Sequence, residues 1–268
     1  ARVLGNTLIQ ELEELPGVQL LAPARLHDFQ VPGGKVEAEL EVDGRAVTHH
    51  TRLLVAADGA HSSVRERLGI ATRQWDYGQT AVIANVTPER DHQNVAYERF
   101  TDTGPMALLP MQGNHCALVW TVRSQQAEEI LALSDTEFLA RLQQRFGNRL
   151  GRFMKAGQRH AYRLQLLRAR ESIRPRLALI GNAVHTLHPI AGQGFNLGAR
   201  DVAVLAEVLV DAVRAGEDPG SLAVLERYSR WRRHDHRNVT VFTDGLARLF
   251  SLSLPALGMV RGAGLLAF

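Results

Sequence analysis

The sequence contains a single cysteine, Cys116, among 268 residues. One cysteine cannot form an internal disulfide, so the chain is not a disulfide-stapled secreted domain and suits a reducing compartment such as the cytoplasm. No run of about 18 uncharged apolar residues is present, so a transmembrane helix is not expected. The first residues also lack a basic segment followed by an apolar one, and we therefore expect no secretory signal.

Neither sign of charge is in large excess. The chain has 31 lysines and arginines and 28 aspartates and glutamates, which gives a net charge of +3. This small excess does not indicate a nucleic-acid-binding surface. Hydrophobic residues make up 45% of the chain and charged residues 22%, the proportions of a globular protein with a substantial core. The chain can therefore form one large domain or two smaller ones.

Several catalytic signatures are missing as well. The sequence contains no nucleophile elbow, no Walker loop and no zinc-binding pattern, which argues against the enzymes that depend on them. No G-x-G-x-x-G follows an early strand, so the usual fingerprint of a dinucleotide-binding domain is absent. We predict no metal site.

The first quarter of the chain has an α/β pattern. Leucines recur at helical spacing between positions 4 and 15, and Pro16-Gly17 then predicts the end of a helix. A short strand and a hairpin around the Asp43-Gly44 turn are expected next. The second hairpin strand is expected to continue into the apolar run 53–57, which is typical of a buried parallel strand. The predicted strands are Val18–Ala22, Lys35–Val42 and Ala46–Val55.

Between about Tyr77 and Arg170 the pattern changes to short strands separated by turn residues, which is typical of an antiparallel sheet. A polar helix is expected at 134–146, with Ser134 as N-cap and Glu137 completing a capping box. The α/β pattern then resumes. The predicted strands are Ala81–Val86, Val95–Phe100, Met106–Pro110, Cys116–Val122 and Leu177–Ile180, and the predicted later helices are Val202–Ala215 and Leu222–Arg237.

This order predicts one α/β domain into which an antiparallel sheet is inserted. The expected division assigns residues 1–75 to the first part of the α/β domain and 76–168 to the inserted sheet. Residues 169–238 would continue the α/β domain, and 239–268 would form a C-terminal helical segment.

A first motif spans residues 53–65, where a buried strand leads to Asp58-Gly59 and then to a helix carrying Arg65. Ligands bind at the carboxyl ends of strands in open α/β sheets, so Asp58 is a candidate binding residue. Ser63 and Glu66 have the spacing of a capping box. The alternative is an ordinary strand, Asp-Gly turn and capped helix, which such a segment alone favours.

A second motif spans residues 177–198, where a strand ends at Gly181 and a loop with Gly192, Gly194 and Gly198 leads into a helix. Glycines allow a flat or anionic ligand to approach the backbone. The amides at a helix start can bind negative charge. His185 and His188 have a spacing that could bind metal, but no third ligand is evident and we expect histidines that line a pocket.

A third feature is the basic run Arg230–Arg237 followed by an apolar stretch up to Phe268. A basic helix with an adjoining apolar surface could lie on an anionic membrane. Alternatively, it is a solvated helix face followed by a helix packed on the core or on a subunit partner.

Together, the first two motifs resemble the paired signatures of the aromatic-hydroxylase flavoproteins related to p-hydroxybenzoate hydroxylase. The "DG" signature is matched at Asp58, Gly59, Ser62 and Arg65. The "GD" signature is matched at Gly181, His188, Pro189, Gly192, Gln193, Gly194, Asn196, Leu197 and Gly198. Asn182 replaces the usual aspartate, and this string, with segments 81–86, 98–101, 104–105 and 109–111, is similar to the UbiH branch of the family.

The resemblance implies an α/β FAD-binding fold of the p-hydroxybenzoate hydroxylase type, with the antiparallel insert binding the substrate. It implies FAD as cofactor, NAD(P)H as reductant and O₂ as co-substrate. The implied reaction is hydroxylation of a polyprenylated phenol, 2-polyprenyl-6-methoxyphenol, to the 1,4-benzoquinol in ubiquinone biosynthesis. The implied setting is the cytoplasm, with possible peripheral contact to the inner membrane and to a ubiquinone-biosynthesis complex.

The residues that the resemblance assigns to the cofactor come from both motifs. Asp58 and Arg65 would serve the pyrophosphate and reductant side, and Asn182 the ribityl chain. The remaining positions would frame the flavin ring and its approach. The full set is Asp58, Gly59, Arg65, Gly181, Asn182, Pro189, Gly192, Gln193, Gly194, Phe195 and Asn196. No residue is identified that would deprotonate the phenol.

The sequence departs from this family in its extent, because the first strand and its dinucleotide fingerprint are missing. We therefore expect a truncated form that binds little FAD and is inactive when isolated. A non-enzymatic subunit that holds a prenylated quinone intermediate is an alternative. A second alternative is a related hydroxylase that acts on another phenol.

Overall fold

The computed structural model describes residues 2–187 and 192–251. The helices are α1 (Arg2–Glu14), α2 (Ser63–Arg67), α3 (Ala127–Ala132), α4 (Asp135–Phe146), α5 (Gln193–Arg214) and α6 (Leu222–Ser251). The strands are β1 (Ala24–Gln30), β2 (Val36–Val42), β3 (Arg45–Thr51), β4 (Leu54–Ala56), β5 (Thr72–Pro88), β6 (Tyr97–Thr101), β7 (Gly104–Met111), β8 (His115–Arg123), β9 (Phe153–Ala156), β10 (His160–Ala169), β11 (Ile173–Arg174), β12 (Leu177–Leu179) and β13 (His185–Thr186). Single 3₁₀ turns lie at Pro32–Gly34, Ser124–Gln126 and Gly181–Ala183.

These strands form three sheets. The largest is antiparallel, in the order β13-β10-β5-β8-β7-β6, with β9 also paired to β5. A three-stranded sheet has the order β11-β12-β4, in which β12 and β4 are parallel. The third is the antiparallel meander β1-β2-β3. The predicted order of an α/β part, an antiparallel sheet and a second α/β part is confirmed.

The first quarter of the chain contains the predicted helix and hairpin but differs in its other strands. Residues 18–22 form no strand, and β1 lies at 24–30 instead. A bulge between Leu26 and Asp28 shifts the register of β1, and Leu26 and Phe29 both pack on the core. The strand therefore lacks the period of two by which strands are recognised. The expected long second strand is also divided, since β3 ends at Thr51 and β4 joins another sheet.

The antiparallel sheet is built around β5, which is paired on both sides. One face of β7 and β8 packs under α3 and α4, where Trp120, Phe138 and Leu142 are at most 1% exposed. The predicted capping box between Ser134 and Glu137 is present at the start of α4. Strands β9 and β10 were not predicted, because most of their side chains are exposed and apolar alternation is weak.

Helices α5 and α6 are both longer than predicted. Helix α5 begins at Gln193 rather than Val202, so the glycines at 194 and 198 lie within the helix and not in a loop. Helix α6 continues through Ser251 instead of ending at 237. The two helices pack on β12 through Leu205, Val208 and Leu225, and the Tyr228 hydroxyl donates to the Leu179 carbonyl at 3.3 Å.

All three predicted domain boundaries fall inside continuous elements. The boundary after residue 75 lies within β5, the one after 168 within β10 and the one after 238 within α6. Strand β13, from the second motif, pairs with β10 of the large sheet. The four-part division stays a prediction. Across the described part of the chain, no helix combines the length and the hydropathy that crossing a membrane would require.

Candidate functional site

The two motifs meet because β4 and β12 are neighbouring parallel strands. Leu54, Val55 and Ala56 pair with Leu177, Ala178 and Leu179 in register. The Ile180 amide also donates to the Ala56 carbonyl at 3.0 Å. Residues 58–65 and 181–187 therefore leave the same edge of the sheet, at the carboxyl ends where ligands bind in this class of fold.

The first motif forms a tight turn into α2. Ser62, not Ser63 as predicted, is the N-cap, and its hydroxyl accepts from the Arg65 amide at 3.0 Å. The exposed Asp58 carboxylate accepts from the Val64 amide at 3.2 Å and from the Ser63 hydroxyl at 3.4 Å. Gly59 has a φ of 86°, a conformation that favours glycine. Asp58 therefore stabilises the turn, and its role toward a cofactor stays a prediction.

Arg65 joins the two motifs from the interior. Its side chain is buried, and its guanidinium donates to the carbonyl of Ala183 at 2.9 Å and to that of Ala60 at 2.7 Å. The first carbonyl belongs to the second motif and the other to the first. Both terminal nitrogens are thus engaged by the protein, so Arg65 connects the two turns, and its role toward a cofactor stays a prediction.

The turn at Gly181–Ala183 forms the second half of the edge. Gly181 has a φ of 57°, and Asn182 next to it is exposed. A Cβ atom on Gly198 of α5 would lie 3.5 Å from the Gly181 Cα. The absence of side chains at both positions therefore allows the helix to pack directly on the turn.

The start of α5 continues this edge. Gly192 is the N-cap with a φ of 61° and has no side chain to accept from the first-turn amides. Gly194 lies in the first turn of α5 and does not have a positive φ. Phe195 is 72% exposed and Asn196 is also exposed. The predicted positions Pro189 and His188 lie outside the described residues.

Behind the turn lies a buried group of polar side chains that was not predicted, which we name the Asp201 cluster: His185, Asp201, Arg232 and His236. All four residues are at most 9% exposed. One carboxylate oxygen of Asp201, Oδ2, lies 3.0 Å from the Gly181 amide and 3.0 Å from Nε2 of His185. The other, Oδ1, lies 2.6 Å from Nε of Arg232 and 2.6 Å from Nε2 of His236.

The buried charge of Asp201 is compensated by Arg232 and by hydrogen bonds. Burial opposes ionisation, but hydrogen bonds from His185, His236 and Arg232 hold the pKa of Asp201 well below its usual range. Burial lowers the pKa of His236 despite its contact with Asp201. Arg232 also contacts Asp235 at 2.5 Å, and Asp235 pairs with Arg200 at 3.0 Å. Two carboxylates thus face two guanidinium groups, and both histidines donate through Nε2.

Three potential metal ligands, His185, Asp201 and His236, converge in this cluster. Arg232 donates to the same Asp201 oxygen as His236, so a guanidinium already supplies the positive charge at the place where a metal would bind. His188, whose spacing from His185 could bind a metal, lies outside the described part of the chain. We therefore interpret the Asp201 cluster as a hydrogen-bonded ion pair.

A cavity of about 480 Å³ lies on the face of the large sheet opposite its core. Met106 and Leu108 of β7 are buried toward α3 and α4, whereas the alternating Ala107 and Leu109 line the cavity. Gly192 of the second motif lies at its border. The wall is completed by Ala96, Tyr97, Glu98, Pro105, Val119 and Thr121. A mainly apolar cavity thus adjoins the glycine-rich edge.

A sequence profile for the FAD binding domain family matches residues 3–243 of this chain. The match includes both motifs, the antiparallel insert and the Asp201 cluster. The chain belongs to this FAD-binding family.

Curated relatives extend this finding. The chain is 46% identical over 264 residues to "Ubiquinone hydroxylase UbiL" of Rhodospirillum rubrum, covering 98% of this chain and 61% of that protein. It is 36% identical over 271 residues to "3-demethoxyubiquinol 3-hydroxylase" of Escherichia coli, covering 99% of this chain and 67% of the relative. The chain therefore spans about 61% of the length of the Rhodospirillum protein.

The fold also matches solved structures. The crystal structure of p-nitrophenol 4-monooxygenase from Pseudomonas putida superposes with a TM-score of 0.79 at 22% identity, covering 98% of this chain and 66% of the other. At this identity the likeness concerns the fold. The predicted fold class, an α/β flavoprotein domain with an inserted antiparallel sheet, is confirmed.

The described residues at the edge formed by the two motifs fit a flat cofactor. A Cβ atom on Gly59, Gly181 or Gly194 would meet no described atom within 4 Å. Within the described part of the chain, these glycines leave space in which a ring system could approach the backbone. The uncapped amides at the start of α5 suit an anionic group.

We predict that Arg65→Met lowers the free energy of unfolding by about 2–4 kcal/mol, because two carbonyls lose their donor in a buried setting. Arg67→Met, on the same helix, removes only an exposed pair with Asp28 and should cost less than about 1 kcal/mol. Urea unfolding of both variants measures the difference. An equal loss of unfolding free energy in both variants would show that the hydrogen bonds of Arg65 between the motifs add no stability beyond that of an exposed ion pair.

Proposed function

We propose that the whole protein is an FAD- and NAD(P)H-dependent monooxygenase that hydroxylates the ring of a polyprenylated phenol or quinol in ubiquinone biosynthesis. The observation that carries this proposal is the position of the apolar cavity beside the glycine-rich edge, within a chain that belongs to the FAD-binding family. The names of the Rhodospirillum and Escherichia relatives support ring hydroxylation of a ubiquinone precursor.

In this proposal, the two motifs hold the cofactor. Asn182 and the backbone at Gly181 would meet the ribityl chain, and Asp58 and Gly59 would lie on the pyrophosphate side. The backbone of 192–196 would frame the ring, together with Pro189. When bound and reduced by NAD(P)H, FAD would activate O₂ for transfer of one oxygen atom to the substrate ring. The protein's contribution is to orient both rings and to exclude water.

The cavity is suited to an aromatic head group. Ala107, Leu109 and Val119 provide apolar walls, and Thr121 and Glu98 add polar groups that could orient a ring hydroxyl. The volume of about 480 Å³ accommodates one substituted ring but not a long isoprenoid chain. The tail would extend beyond it, and each methylene exposed to water would cost about 0.8 kcal/mol.

The ring position that is hydroxylated follows from how the substrate lies in the cavity. The resemblance to the UbiH branch favours 2-polyprenyl-6-methoxyphenol as the substrate, whereas the Escherichia relative is named for 3-demethoxyubiquinol. Another phenol, or a non-enzymatic role in holding a quinone intermediate, is the competing function. Turnover of prenylated phenols by the whole flavoprotein separates these outcomes.

Gly194→Val in the whole flavoprotein should remove most of the bound FAD and with it NAD(P)H-driven hydroxylation. The valine side chain would occupy the open space beside the first turn of α5, where the flavin ring is proposed to lie. Gly245→Val is the matched control. Gly245 is also a helical glycine at which a Cβ atom would meet no described atom within 4 Å, but it belongs to α6 and not to either motif. Flavin absorbance per protein and product formation measure the effect.

The two glycine variants should lose similar helix stability, since valine replaces glycine in a helix in both. Normal flavin content and turnover in the Gly194 variant would contradict the assigned flavin position. Normal flavin content with no hydroxylated product from any prenylated phenol in the parent protein would instead favour the quinone-holding role.

We further propose that α6 contacts an anionic membrane surface. Of the basic run, Arg232 is buried in the Asp201 cluster, but Arg230, Arg233 and Arg237 are exposed. Trp231 and Phe242 lie about three helical turns apart on one face and are 54% and 45% exposed. Exposed cations beside exposed aromatic side chains are typical of interfacial helices.

Replacing Trp231 and Phe242 together by serine should reduce binding to vesicles that contain phosphatidylglycerol, without unfolding the protein. Trp75→Ser is the control, because Trp75 is a comparably exposed aromatic residue, at 50%, that belongs to β5 and not to α6. Co-sedimentation at low and high salt measures binding, and salt should weaken it because screening acts within about 8 Å at physiological ionic strength. Equal sedimentation of all variants would show that α6 is an ordinary packing surface.

A further inference from the structure

We propose that Asp201 is a positioning residue for the flavin, acting through the backbone amide of Gly181. This inference rests on the proposed function, because it assigns the turn at Gly181–Ala183 to flavin binding. Asp201 itself is completely buried and need not touch the cofactor. It would set where the turn lies.

The position of Asp201 on its helix is unusual for a charged residue. The buried stripe of α5 contains Leu197, Leu205, Val208 and Ala212, and Asp201 occupies the place in this stripe where another apolar residue would be expected. A buried carboxylate without partners is strongly destabilising. Asp201 is therefore stable at this place only because neighbouring elements supply hydrogen bonds to both of its oxygens.

Those hydrogen bonds divide between the two oxygens. Oδ1 faces α6, where Arg232 supplies the compensating charge and His236 a further donor. Oδ2 faces the second motif, where it accepts from Gly181 and His185. Asp201 thus connects α6 to the turn, and the Arg232 guanidinium also donates to the Leu197 carbonyl at 3.2 Å.

The Gly181 amide is the contact that matters for the flavin. Gly181 is the second residue after β12 and has a left-handed φ of 57°. Its amide bonds to the carboxylate of Asp201 instead of continuing the pairing of the sheet. This bond and the close approach of Gly198 hold the turn against α5, so that Asn182 and the start of α5 keep a fixed separation.

A test must separate this bond from the general effect of a buried charge. Asp201→Asn combined with Arg232→Met removes both charges but keeps an oxygen acceptor for Gly181. Asp201→Ala combined with Arg232→Met removes both charges and the acceptor. The two double variants therefore differ in the proposed contact, and His236 can adapt to the asparagine amide by changing its tautomer.

The first readout uses the chain itself, without flavin. Amide hydrogen exchange of Gly181, followed by NMR, should be slow in the parent and in the asparagine double variant. It should be about tenfold faster or more in the alanine double variant. Fast exchange of Gly181 in the parent would overturn the proposal without any variant, even if the double variants failed to fold.

The second readout is the dissociation constant of FAD in the whole flavoprotein, with the free energy of unfolding measured in parallel. The alanine double variant should bind FAD about tenfold more weakly than the asparagine one. The FAD that remains bound to either double variant should have the same absorbance spectrum as FAD bound to the parent. FAD affinities that are equal, or that follow only the loss of stability, would overturn the positioning role. A slow Gly181 amide with no FAD binding in the parent would instead contradict the proposed function.

Discussion

The parallel pairing of β4 with β12 is the constraint on which the rest of the site depends. The two strands are short, and more than a hundred residues of chain lie between them. Nearly all of that intervening chain is used to build the antiparallel sheet and its helices. When the chain re-enters the small sheet as β12, both motifs come to lie at one edge of that sheet. This brings Arg65 within hydrogen-bonding distance of the Ala183 carbonyl.

Two buried charged side chains, on the interior side of this edge, hold its turns in place. Arg65 connects the turns of the first and second motifs, and Asp201 connects the second motif to α5 and α6. Their burial is tolerated because each charged group meets several partners. The side facing the open space is made of glycines and helix-start amides. Exposed glycine backbone next to these buried charges is suited to a large planar ligand.

Sequence patterns predicted those parts of the fold that depend on local chemistry. The Asp43-Gly44 hairpin, the capping box at Ser134 and the two glycine-containing motifs are of this kind. The bulge in β1 and the extension of α5 across two glycines were missed, because packing overrides local preference there.

The Asp201 cluster and the cavity depend on contacts between distant residues. Asp201 was nevertheless recognisable as a charged residue in an apolar helical stripe, and β7 as a strand with apolar residues on both faces. What no local pattern contains is the identity of the partners, since Arg232 and His236 lie on another helix. Partner identity follows from the packing of α5 against α6.

The most direct measurement is hydrogen exchange of the whole flavoprotein with and without FAD, resolved along the chain. We predict that FAD slows exchange in residues 58–65, 181–187 and 192–198 together, and leaves α4 and its core unchanged. Protection of only one of these segments, or protection confined to the β1-β2-β3 sheet, would contradict the claim that the two motifs form one flavin-binding edge.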